Sequence, residues 1–256
     1  MPLSPAPATP GFGALLLRGL LAGLIAGLLA GVFSYAVGEP KVDAAIAIEE
    51  QAAHTAGDQS HHEDPLVSRG WQKAGLFLAT GLVGVAMGGL LATAYTVVRR
   101  RLRTPSDTRA ALGLAGAAAL GVVLVPFLKY PPNPPAVGDP ATINQRTVNY
   151  LAVVVIGLVA VWSAVLAART QRAEWRRAAA GAAGFLVVVT VGYVLLPAVD
   201  EVPAGFPPTL LWDFRIASLG TQLVLWTGLG LTFAALLAGR DRRPAPAAAT
   251  EAATPA

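Results

Sequence analysis

No cysteine occurs in these 256 residues, which removes disulfides, iron–sulfur clusters, thiolate zinc sites and cysteine nucleophiles together. Any metal would have to be held by His, Asp, Glu or neutral oxygens. Charge is scarce as well: 13% of residues are Asp, Glu, Lys or Arg, where soluble domains carry roughly 25%. Histidine is limited to three, all in one connection between apolar runs. The chain has no GxxxxGK[ST] phosphate loop, no kinase set, no HExxH and no serine in a motif with histidine and aspartate. No enzyme is expected from such a sequence, and an ATP-driven motor would have to be another chain. What is present is apolar residue, 54% of the total, with a mean hydropathy of +0.57. A water-soluble globular reading is excluded on that balance.

A hydrocarbon core roughly 30 Å thick is crossed by about 20 mostly apolar residues in a helix, because backbone amides in lipid must find partners within their own segment. Six stretches qualify, approximately 13–37, 74–98, 110–128, 149–168, 178–197 and 214–238. The predicted fold is therefore all-α, a polytopic transmembrane bundle. Its outer loops are 38–73, 129–148 and 198–213, and its Pro/Ala-rich tails, 1–12 and 240–256, are expected to be disordered. The first apolar stretch exceeds the usual signal-peptide core of roughly 7 to 15 residues, so a retained span is expected.

The calculated pI is about 9.8, but the basic residues are sorted by side rather than gathered into a nucleic-acid patch. Arg18 lies on one side together with Arg99, Arg100, Arg101, Arg103 and Arg109, then Arg169, Arg172, Arg176 and Arg177, and finally Arg240, Arg242 and Arg243. The other side holds Lys41, Arg69, Lys73, Lys129, Arg146 and Arg215 and most of the acids. The arginine-rich side is the cytoplasmic one by the positive-inside rule, which puts both termini inside.

Within the spans, Gly19, Gly23, Gly27 and Gly31 recur every four residues and form one strip of a helix. Such a strip lets a second backbone approach closely, so this helix is expected at the centre of the bundle. Gly81, Gly84 and Gly88 repeat the idea in the second span. In the last span Arg215, Ser218 and Gln222 fall on one face, a polar stripe expected to look into the bundle. Arg215 is expected to snorkel or to pair with Asp200, Glu201 or Asp213.

His54, His61 and His62 all lie in the first outer loop, beside several carboxylates. Residues 40–54 read as a short helix opened by Pro40 at its first position, with Asp43, Glu50 and His54 within about 40° of one another on the wheel. A neighbouring stripe of Val42, Ile46 and Ala53 suits docking on the membrane surface. Imidazole with carboxylate fits cobalt, nickel or zinc, whereas an all-oxygen set fits magnesium or calcium. The spacing is not a metal motif, and a solvated loop would carry the same residues. The second outer connection, 127–147, has five prolines and is expected to be an extended cap, with Lys129 and Asp139 facing the outer vestibule. The third, 195–215, is built alike, with Phe206 and Trp212 as interfacial anchors.

These outer segments, VGEPKVDAAIAIEEQAA (37–53), PFLKYPPNPPAVGDPATINQRT (126–147) and LLPAVDEVPAGFPPTLLWDFRIASLGTQLVLW (195–226), closely resemble the CbtA family of predicted cobalt transporter subunits. The likeness runs in order through nearly the whole chain between its tails. It implies a multi-pass protein of the bacterial inner membrane, an uptake system for Co2+ linked to cobalamin synthesis, and a small His-rich companion protein. No permanently bound cofactor is implied. The simplest description of the family has five spans, whereas hydropathy here counts six.

On this basis Asp43, Glu50, His54, His61 and His62 are candidate capture ligands. Arg215, Ser218 and Gln222, with Asp200, Glu201, Asp213, Lys129 and Asp139, are candidates for the path or gate. An arginine beside a cation path needs neutralising, which keeps two rivals open: a membrane scaffold for a partner permease, and a transporter of a small organic anion with Arg215 as countercharge. A catalytic constellation for an intramembrane enzyme is missing, and assembly into an oligomer is left open.

Overall fold

The computed structural model describes residues 11–55, 68–102, 104, 106–135 and 137–238. Among them every regular element is helical. Helix α1 (Phe12–Phe33) leads through a π-helical turn, Ser34–Gly38, into α2 (Glu39–Thr55). The chain continues through α3 (Arg69–Val98), α4 (Asp107–Ala119), a second π turn (Leu120–Leu124), α5 (Val125–Lys129), α6 (Ile143–Arg169), α7 (Glu174–Leu195) and α8 (Pro208–Ala238). Six of the resulting helical stretches are long and apolar enough to cross a membrane, one more than the five of the simplest family description. His61, His62 and residues 1–10 and 239–256 of the tails lie outside the described residues, and the expected N-terminal tail, 1–12, ends earlier because Phe12 already opens α1.

The separate short helix at 40–54 is a correction. Pro40 sits inside one unbroken helix running from Phe12 to Thr55. A proline ring clashes with the carbonyl four residues back and offers no N–H to it, and a π turn, with its wider i→i+5 spacing, relieves that conflict. Pro126 is handled the same way: in both places the proline comes two residues after the last residue of a π turn. Ala45 is fully buried against Val137 and Phe206, one residue from each of the other outer connections. Phe206 is thereby a core residue of the outer layer rather than a membrane anchor, while Trp212 stays exposed.

The helices reach past the apolar windows at their outer ends, since polar and charged residues near the helix starts lower hydropathy without breaking the helix. Thus α3 begins at Arg69, α6 at Ile143 and α8 at Pro208, the last with proline at a first-turn position that tolerates it. The second connection is extended only as far as Asp139, after which a 3-10 turn, Pro140–Thr142, feeds α6.

Packing runs on small residues. A Cβ built on Gly19, Gly23 or Gly27 would strike the backbone carbonyl of Gly88, Gly84 or Thr80, and one on Gly84 or Gly88 would strike Gly23 or Gly19 in return. Helices α1 and α3 are therefore in backbone contact along two facing glycine strips, the geometry that replaces the hydrophobic drive in lipid. A second backbone crossing joins Gly121, in the π turn, to Gly157 of α6. Helix α8 packs on α1 and α4, and α6 pairs with α7. Half of the main buried cluster is alanine, and its larger members include Trp226, Phe233, Tyr95 and Leu229; the Tyr95 and Phe233 rings meet edge to face at 5.5 Å. Large apolar residues such as Leu17, Leu21, Leu82, Val155 and Leu186 point outward, as a lipid-facing surface requires.

Candidate functional site

Beneath the two proline-rich connections lies a cavity of about 740 Å3, within the size range of small-molecule sites. Its walls come from α3, the second π turn, α6, α8 and both connections. Met87, Leu225 and Trp226 supply apolar surface. The polar residues are Arg215, Ser218 and Gln222 from α8, Arg146 and Asn149 from α6, Asn133 from the second connection, and Asp200 and Glu201 from the third. Positions far apart in the chain are thus brought around one space. The i, i+3, i+7 spacing of the α8 residues puts all three on the cavity side.

The acids and the bases of this cavity are not equivalent. Glu201 is engaged at both oxygens: one accepts from the Thr142 hydroxyl at 2.6 Å, the other from the Asp139 amide at 3.1 Å and from Arg146 at 3.3 Å. The Thr142 hydroxyl, with the Asp139 amide and the Arg146 guanidinium, holds its carboxyl below the usual carboxylate range despite some desolvation. Asp200 accepts the Val202 amide at 3.4 Å. By contrast Nε of Arg146, Nε of Arg215 and Nδ2 of Asn149 are buried donors with no partner among the described residues. Asn149 is only 9% exposed.

The expected pairing of Arg215 is also corrected. It donates to Asn133 Oδ1 at 2.9 Å and makes no ion pair with a described carboxylate; Asp200 attracts it across the cavity without contact. The acids foreseen for it are engaged elsewhere, Asp213 with Lys41 at 3.3 Å and Glu201 with Arg146. The reason is reach: Lys41 on α2 stands over the start of α8, and Arg146, one helical turn into α6, faces the third connection.

Lys129 does not face a vestibule. Its ammonium donates to the Tyr193 and Leu196 carbonyls at 3.0 and 3.1 Å, closing the C-terminus of α7, and the Tyr193 hydroxyl donates to the Val125 carbonyl. Asp139 caps its own turn, accepting the Ala141 amide at 2.8 Å. Together Asp139, Thr142, Arg146 and Glu201 latch the second connection to the third.

At the outer end of α2 the capture candidates divide. Asp43 is taken by Arg69 at 2.5 Å and Lys73 at 2.8 Å, and Glu39 by Arg69 at 2.7 Å. These bonds tie the base of α2 to the start of α3. Glu50 and His54 lie exposed one turn apart further along. Among the described residues no three of His, Asp and Glu are grouped to hold a metal. Arg146, Asn149 and Asn133 do not stand out as site residues in the sequence. Asn149 carries a signal there, being an amide at the head of an apolar span; Arg146 and Asn133 carry none.

Six helices long and apolar enough to cross a membrane, with a cavity walled by α3, the second π turn, α6 and α8 under two latched connections, define a multi-pass membrane protein. The chain belongs to the CbtA family: the model of that family, described as "Probable cobalt transporter subunit (CbtA)", matches residues 12–238, nearly all of the bundle. No curated protein and no solved structure matches the chain.

Proposed function

We propose that this transporter subunit works in the inner membrane of a bacterium as the embedded part of a cobalt uptake system linked to cobalamin synthesis, with a small His-rich companion. In this reading Glu50, His54, His61 and His62, on and just beyond the outer end of α2, collect the dication. Asp43 fixes the base of α2 against α3 rather than acting as a free ligand. The ion then passes through the chamber bordered by Arg215, Ser218 and Gln222. The arginine-dense turns face the cytoplasm, and the activity is transport rather than catalysis.

The observation that carries the reading is the cavity itself, which gathers Arg215, Ser218, Gln222, Asp200 and Glu201 from separate segments in the outer half of a six-helix bundle. Labelled cobalt uptake by cells expressing the chain with its companion tests it. Uptake should fall several-fold when Glu50 and the three histidines are replaced by Ala. It should fall again when the chamber is filled by Ser218→Leu with Gln222→Leu. Unchanged accumulation in both variants, at normal membrane levels, would overturn the proposal.

A further inference from the structure

We propose that the two arginine-dense turns form one binding site for the headgroup of an anionic phospholipid. By sequence, residues 99–109 hold five arginines and one acid, and residues 169–177 hold four arginines and one acid. Sorting of charge across the membrane asks only that these turns lie on one side. It does not ask that they meet. In the fold they do, since the Arg169 guanidinium donates to the Arg101 carbonyl at 3.2 Å. The packing deeper in the bundle brings this about. Gly121 and Gly157 touch backbone to backbone, and from that crossing the chain runs back through α4 to Asp107 and onward along α6 to Arg169. Each path is about 20 Å long at about 1.5 Å per residue, so the two ends are level.

Charge at this junction is left open to a ligand. Arg100, Arg101, Arg109, Arg172, Arg176 and Arg177 are all exposed and make no ion pair with a described carboxylate. The two acids do not cancel them: Asp107 is taken by Arg99, and Glu174 is a single charge in the first turn of α7. Helices α4 and α7 both begin at this end, α7 without a side-chain cap, so the positive ends of two helix dipoles add to the field. Guanidinium forks match phosphate oxygens two at a time. A lipid phosphate suits the surface because apolar side chains adjoin the charge. Trp175 is 70% exposed with the Arg176 guanidinium 5.3 Å over its ring, and tryptophan is a residue of the headgroup level. Leu112 on α4 and Val165 and Leu166 on α6 are exposed one helical turn from Arg109 and Arg169, where acyl chains would lie.

This inference uses neither the cavity nor cobalt capture, so each can fail alone. The full chain in detergent, without companion, is mixed with phosphatidylglycerol and phosphatidylcholine of identical acyl chains, and bound lipid is counted by native mass spectrometry. Phosphatidylglycerol should bind at least about tenfold more tightly, since each arginine near an anionic headgroup contributes about fivefold. Arg100→Gln with Arg101→Gln, and separately Arg172→Gln with Arg176→Gln, should each cut that preference at least about fivefold, because both turns hold the same lipid. Arg101→Gln leaves in place the carbonyl that Arg169 uses. Should a variant fail to assemble, the wild-type chain is read in rising ammonium acetate. Going from about 0.1 to about 1 M shortens the screening length from about 10 to about 3 Å, which should remove most of the preference. Equal binding of the two lipids, a preference untouched by the substitutions or by salt, or a loss confined to one of the two turns overturns the proposal.

Discussion

At Gly138 the backbone takes φ +127°, and a Cβ there would also run into the Arg146 guanidinium. Gly138→Ala should therefore cost about 1–3 kcal/mol of strain and displace Arg146 from Glu201, seen as a lowered melting temperature in detergent. Lys129 acts on the opposite terminus of α7. Lys129→Met removes two hydrogen bonds and a cation from a helix C-terminus, an expected loss of about 1–2 kcal/mol by the same melt. Glu201 governs the pH response of the latch. Its carboxyl is held below the ordinary value, so the latch contributes fully above about pH 4.3, the unperturbed carboxylate value. That contribution is lost as acid carries the pH down through the lowered folded value. Hydrogen exchange at the Asp139 amide should report it, protected at neutral pH and opened in acid, with Glu201→Gln open throughout. None of these three roles could be read from the sequence, because each depends on which residue of another connection stands opposite.

Among the elements, the α1–α3 pair was the most legible, since a four-residue glycine period has one physical use in an apolar helix. The legibility was not uniform. Gly81 belongs to the same series as Gly84 and Gly88, yet a Cβ on it meets only Leu24 and Leu28 at 3.8 Å. Gly23→Leu or Gly84→Leu should cost about 1–3 kcal/mol or more through overpacking, while Gly81→Ala should be neutral or mildly stabilising, a helical alanine replacing glycine. Thermal unfolding of the three variants side by side checks the register. The π turns were not legible. Pro40 reads as a helix start by local rules and Pro126 lies unmarked inside the third apolar stretch, and only the continuity of packing on both sides of each proline makes a widened turn cheaper than a break.

For the whole molecule, six crossings would return the chain to the side on which it starts, and the sorting of arginines predicts that side to be the cytoplasm. The native lack of cysteine gives a labelling test without background: His54→Cys should react with a membrane-impermeant maleimide on intact cells, and Arg172→Cys only after lysis. The reverse pattern would invert the topology. Hydropathy found every crossing because lipid imposes it on the sequence directly, and it found the α8 stripe because polar residues are conspicuous there. It did not find the chamber, which exists only where α3, the second π turn, α6, α8 and two connections converge.

The unbroken run of Phe12 to Thr55 has a mechanical consequence. At about 1.5 Å per residue it extends on the order of 65 Å, twice the thickness of the hydrocarbon layer. Its far part stands beyond the first crossing like a mast, on the side that the arginine sorting predicts to be the outer one, stayed near deck level by Arg69, Lys73 and Asp213. Severing those stays would leave α2 held by Ala45 against Val137 and Phe206, and a tilt of merely 10° about the π turn would carry the imidazole of His54 through about 4 Å.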